Sequence, residues 1–89
     1  MAVMDDYKLA CWGRRGARRL RILKFLYHHK GAATGVEIAK NLKLSLHKVS
    51  HTLSEFRHYG LVRVLNPKAR SRRDYVLSET GKRIVRRLR

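Results

Sequence analysis

The stretch "TGVEIAKNLKLSLHKVSHTLSEFRHYG", residues 34–60, constrains the fold of this chain more than any other. Thr34 and Glu37 stand three apart at its start. That is a capping box, in which hydroxyl and carboxylate each satisfy a backbone N–H of the opening turn. Ile38, Ala39 and Leu42 recur at helical spacing and give this helix its buried face. Ser45 can cap a second helix, with Val49, Leu53 and Phe56 along one side and Gly60 suited to a left-handed C-cap. Only Lys43-Leu44-Ser45 separates the two. Helices joined so closely must turn sharply, which is the helix-turn-helix arrangement.

The flanking segments read around this unit. "GARRLRILKFLYHHKG" places Ala17, Leu20, Leu23, Leu26 and Tyr27 on one apolar stripe and stops at Gly31. Ile22 and Phe25 lie off the centre of that stripe, so they call for a further partner, either the N-terminal segment or a second copy. Residues 1–16 form an N-terminal extension. Within it Met4, Tyr7, Ala10 and Cys11 fall at helical spacing behind Asp5, with Gly13 and Gly16 as interruptions. Downstream, "LVRVL" and "RRDYVL" have strand composition, and the tip between them, "NPKARS", is cationic and without large apolar groups. "SETGKRIVRRLR" closes the chain as a helix capped by Ser78, with Ile84, Val85 and Leu88 on one side. The expected fold class is mainly α with a small β-hairpin, its ordered domain spanning residues 17–89.

Charge narrows the function. The chain has 89 residues, enough for one domain, and its 44% hydrophobic content argues against global disorder. Against that, 22 Lys+Arg face 6 Asp+Glu, a formal charge of +16. Self-repulsion at that level destabilises a compact state unless anions screen it. The natural partner is a polyanion: nucleic acid first, an anionic membrane surface or an acidic protein after it. Solubility alone would be served as well by acidic residues. No apolar run approaches the ~18 residues of a membrane span. The acids near the N-terminus have the wrong sign for a secretory signal, and the single Cys11 suits a reducing interior. The expected location is cytoplasmic and nucleoid-associated, with no membrane partner.

Three of the five histidines, His47, His51 and His58, fall in the second helix of the unit. At about 100° per residue from Leu46, the set Val49, Leu53, Phe56 and Gly60 clusters at about 280–340° and must face the core. The histidines fall at about 100–140°, beside Ser54 at about 80°, with Lys48 and Glu55 at about 180–200°. They should face solvent. His47 and His51 are spaced to clip a metal, but a closed zinc site needs two more ligands, from His28, His29 or Cys11 on other elements. No glutamate follows His47 directly, as a metalloprotease helix requires. No metal is expected. Ser50 and Ser54 lie near but on a convex face, with no set of nucleophile, base and orienting group. No catalytic residue, cofactor or enzyme activity is expected. The face is then either plainly solvated or a nucleic-acid contact, in which imidazole donates to phosphate or to base acceptors. Phosphate favours imidazolium, so affinity should fall as pH rises from about 6 to 8.

"VEIAKNLKLSLHKVSHTLSEFRHYGLVRV" followed by "YVLSETGKRI" resembles the winged helix-turn-helix of transcription regulators of the multiple-antibiotic-resistance (MarR) and arsenic-repressor (ArsR) type, and in length and charge the small archaeal or viral members. The shared pieces are Ile38-Ala39, the Leu42 to Ser45 turn, Val49-Ser50 with Leu53, Gly60-Leu61-Val62, and Leu77-Ser78 with Gly81. Together they cover about residues 18–89. The resemblance implies a three-helix core, a two-stranded wing and a C-terminal helix, with double-stranded DNA as partner. It places Ser45, Leu46, His47, Lys48, Ser50, His51 and Ser54 on a recognition helix in the major groove. Thr34, Lys40 and Lys43 belong to the preceding helix and turn, and Lys68, Arg70, Arg72 and Arg73 to a wing on backbone or minor groove. His51 stands where such regulators often carry Arg, which removes a bidentate guanine contact. The long dimerisation helices and clustered Cys/His ligands of effector-sensing relatives are missing, so no small-molecule effector is expected. A homodimer is expected, two recognition helices lying about one DNA turn apart, with Trp12, Ile22, Phe25, Val85 and Leu88 as apolar contacts. Arg14, Arg15, Arg18, Arg19 and Arg21, with Lys82, Arg83, Arg86, Arg87 and Arg89, are either a solvated face or a wider DNA footprint. Fold alone leaves open an architectural, chromatin-like DNA binder and an RNA- or protein-binding module.

Overall fold

The computed structural model describes residues 4–70 and 72–88; Ser71 of the hairpin tip, Arg89 and the first three residues of the extension lie outside them. The elements run α1 (Asp6–Arg15), α2 (Ala17–His28), β1 (Ala33–Thr34), α3 (Gly35–Leu42), α4 (Leu46–His58), β2 (Val62–Val64), β3 (Asp74–Leu77) and α5 (Glu79–Leu88). The caps are those the side chains favour. Asp5 Oδ1 accepts the Lys8 N–H at 2.8 Å. Thr34 Oγ1 accepts the Glu37 N–H at 3.1 Å while Glu37 Oε1 accepts the Thr34 N–H at 3.2 Å, and Ser45 Oγ accepts the Lys48 N–H at 3.2 Å. Lys43 ends α3 in the left-handed conformation, φ 55° and ψ 46°, which lets α4 start after only three intervening residues.

α2 is the central helix, packed on α1, α3, α4, α5 and β3. That explains where its stripe departs from expectation. Ile22 is fully buried with Leu23 and Leu26, whereas Ala17 is exposed. The core collects these with Ile38, Val49, Leu53, Phe56, Leu61, Ile84 and Val85, and with Leu9 from α1. Gly13 does not interrupt α1. It is buried within the helix, and a Cβ there would lie 3.2 Å from Leu23 Cδ1 and 3.7 Å from Leu88 Cδ1, so its bareness lets α1 settle onto α2 and α5.

The sheet has a strand the sequence did not announce. β1, only two residues long, pairs antiparallel with β3 through Ala33 and Tyr75 and through Thr34 and Asp74, giving the order β1-β3-β2. β2 pairs with β3 through Val62 and Leu77, Arg63 and Val76, and Val64 and Tyr75. Thr34 thus both ends β1 and caps α3, which ties the wing to the helix-turn-helix. A second joint closes the far end. Ser78 N–H donates to Leu61 O at 2.9 Å, Ser78 Oγ donates to Gly60 O at 2.6 Å and accepts the Gly81 N–H at 3.0 Å. A Cβ on Gly81 would collide with the Leu61 carbonyl oxygen. The Gly-Leu-Val and Leu-Ser-x-x-Gly signatures are therefore two halves of one contact.

Candidate nucleic-acid interface

On α4, Val49, Thr52, Leu53 and Phe56 are buried, while Leu46, His47, Lys48, Ser50, His51, Ser54, Arg57 and His58 are exposed. The histidines lie opposite the core stripe, as their phase required. Among the described residues no three His, Cys, Asp or Glu side chains gather where they could hold a metal.

The wing meets this face. A groove runs between Leu46, Ser50, Leu53 and Ser54 of α4, Gly35 and Val36 at the start of α3, and Arg70, Arg72, Arg73 and Tyr75 of the wing. None of the chain's acidic residues lines it. His47, Lys48 and His51 continue the exposed face outside the groove, Lys68 is exposed at the wing tip, and Lys40 and Lys43 are exposed on α3 and its turn. Thr34 is committed to its capping box. The wing holds its own shape through Asn66, whose Oδ1 accepts the Asp74 N–H at 2.7 Å and whose Nδ2 donates to Arg72 O at 3.2 Å. Arg73 Nε donates to Ala69 O at 2.9 Å, and Arg72 takes a positive φ of 53°. The clamp of Asn66 on residues six and eight positions away has no local signal in the sequence.

Several of the basic residues read as either a solvated face or a wider DNA footprint make bonds within the chain. Arg18 Nε donates to Thr52 Oγ1 at 2.9 Å, joining α2 to α4 beneath the exposed face. Arg21 donates to Leu42 O at 2.6 Å. Arg19 donates to Trp12 O at 2.9 Å and its guanidinium lies 4.1 Å from the Trp12 ring centre. Trp12 in turn sets its edge against Phe56 and Tyr59, at 5.7 and 5.1 Å between centroids. Arg83 Nε donates to Asp6 Oδ2 at 3.0 Å, and this hydrogen bond, with the charge behind it, holds the Asp6 carboxyl below its ordinary range and Arg83 above its own. Of the residues considered for a dimer surface, Ile22 and Val85 are buried in this chain's own core and offer nothing to a second copy. Trp12, Phe25 and Leu88 are half-buried against that core.

No family model and no curated protein matches the chain. Two solved structures do. MepR, a transcription regulator of the Staphylococcus aureus multidrug efflux pump MepA, superposes with a TM-score of 0.75 at 26% identity, covering 93% of this chain and 61% of its own. Transcriptional regulator PA3341 superposes with a TM-score of 0.69 at 25% identity, again covering 93% of this chain and 61% of its own. This chain thus spans about three-fifths of the length of either regulator. Among the described residues, five helices and a three-stranded antiparallel sheet, in this order and with these neighbours, are the winged helix-turn-helix fold of transcription regulators.

Proposed function

We propose that the chain is a DNA-binding transcription regulator, with α4 in the major groove and the wing on backbone or minor groove. The observation that carries this is the groove itself. The fold sets three wing arginines against α4 across a groove that no acidic residue lines. Lys and Arg that neutralise phosphates release counterions and supply most of the affinity. Side chains of α4 then reach base edges and supply specificity. Both structural neighbours are transcription regulators, which supports the same reading.

A homodimer belongs to the proposal. One copy presents one α4, so two half-sites need two copies. Selection of bound sequences from a random duplex library at physiological salt tests the reading. An inverted repeat with half-sites one turn apart is expected. A specificity ratio below about 10³ overturns sequence-specific regulation and favours architectural binding. That second reading draws on Arg14, Arg15, Arg86 and Arg87, which are exposed on α1 and α5, away from the groove.

A further inference from the structure

Among the described residues, four large hydrophobic side chains are exposed: Tyr7, Val36, Leu46 and Leu65. A lone surface leucine needs no explanation. Val36 and Leu46, however, line the same groove, at 42% and 49% exposure, beside Ser50 and Ser54, the wing arginines and Tyr75. They come from the first turns of α3 and α4. Leu46 Cδ1 lies 3.5 Å from where a Cβ on Gly35 would be, so its side chain leans across to α3. Core packing does not require this, since Leu53 behind it is already fully buried. Leu46, Ser50 and Ser54 then form a line down α4, one turn apart, with only short side chains below the leucine.

A ligand for this groove must be anionic toward the wing and apolar toward the N-termini of α3 and α4. The major groove of DNA offers both, phosphates on its walls and the thymine 5-methyl group on its floor. Duplex RNA offers neither the methyl nor an accessible major groove. We infer that Leu46, backed by Val36, reads thymine methyl groups and gives the protein a preference for thymine at the base step beneath the start of α4. Ser50 and Ser54, which can hydrogen-bond to either base of a pair, discriminate less and let the helix approach closely. This inference rests on the DNA-binding reading above and adds to it the base that is favoured.

The test uses the full chain and one duplex taken from the library selection, synthesised with thymidine or with deoxyuridine. Uracil keeps every hydrogen-bonding atom of thymine and lacks only the methyl. Anisotropy titrations should show the thymidine duplex binding about fourfold more tightly for each methyl buried. Leu46→Ala, at an exposed position that leaves the core intact, should bring the ratio of the two duplexes to about one, whatever its effect on their common affinity. Val36→Ala should reduce the ratio partly. Arg70→Gln should weaken both duplexes equally and preserve it. Equal binding of the two duplexes by the unsubstituted protein overturns the inference and leaves DNA binding intact; so does a ratio that survives Leu46→Ala. Failure to bind any duplex, or tighter binding of structured RNA at the same salt, overturns the DNA-binding reading and this inference with it.

Discussion

Lys43 carries two roles that a single substitution separates. Its backbone is left-handed, φ 55° and ψ 46°, and its N–H bonds Ala39 O to end α3. A side chain in that conformation costs of order 1 kcal/mol that glycine does not. Its ammonium is also an exposed cation at the turn between the two helices. Lys43→Gly should therefore hold or raise stability, by up to about 1 kcal/mol after glycine's larger unfolded-state entropy is counted, while weakening DNA. Urea melts and a binding titration on one preparation separate the two. A clear loss of stability would mean that the lysine stem packs on the turn. At this scale the sequence was legible where helical phase decides. Val49, Leu53 and Phe56 are buried and His47, His51 and His58 exposed because 3.6-residue periodicity leaves no other choice. It was not legible for Arg18, an arginine among arginines, because its partner Thr52 stands 34 residues away and nothing local marks the pair.

Between elements, that same pair makes the strongest claim. Among the described residues Thr52 is the buried polar residue of the core, and the Arg18 guanidinium donates to its hydroxyl. Arg18→Ala leaves the hydroxyl unsatisfied and should cost about 1–3 kcal/mol. Adding Thr52→Val removes the orphaned group and should recover part of the loss, so the double-mutant cycle should close with a favourable coupling. Additive losses would show that Arg18 acts through its aliphatic stem alone. The clamp of α1 on α5 makes a claim about pH. Asp6 has its pKa lowered by its hydrogen bond to Arg83, so its stabilising contribution is present above the ordinary value of 3.8 and is lost as pH falls through the folded-state value. Asp6→Asn should lower the melting temperature at neutral pH, and the difference from the unsubstituted protein should vanish in acid. A difference that persists at low pH would assign the effect to something other than the ion pair. The elements themselves were largely readable from caps and spacing. β1 was not, because two residues carry no alternation and only the pairing with β3 makes Ala33 and Thr34 a strand.

At the scale of the whole molecule, the +16 charge is not one undifferentiated coat. Arg18, Arg19, Arg21, Arg73 and Arg83 are spent on bonds within the chain. Of the others, Arg70 and Arg72 line the groove beside α4, while Arg14 and Arg15 are exposed on α1 and Arg86 and Arg87 on α5. Trp12 places α1 against Phe56 and Tyr59, at the C-terminal end of α4 where Tyr59 also meets His58, and α5 packs on α1, α2 and β3. A duplex in the groove between the start of α4 and the wing would meet Arg70 and Arg72, which line it, and not Arg86 and Arg87, which do not. Each phosphate contact contributes ~0.9 to the slope of log affinity against log salt. Replacing Arg70 and Arg72 together by Gln should lower that slope by about two, whereas replacing Arg86 and Arg87 should leave it as it was. The second pair is the sharper arm. If its loss also lowers the slope, DNA reaches the back of the molecule, and a protein that holds duplex on two faces coats or bridges DNA rather than docking on one operator.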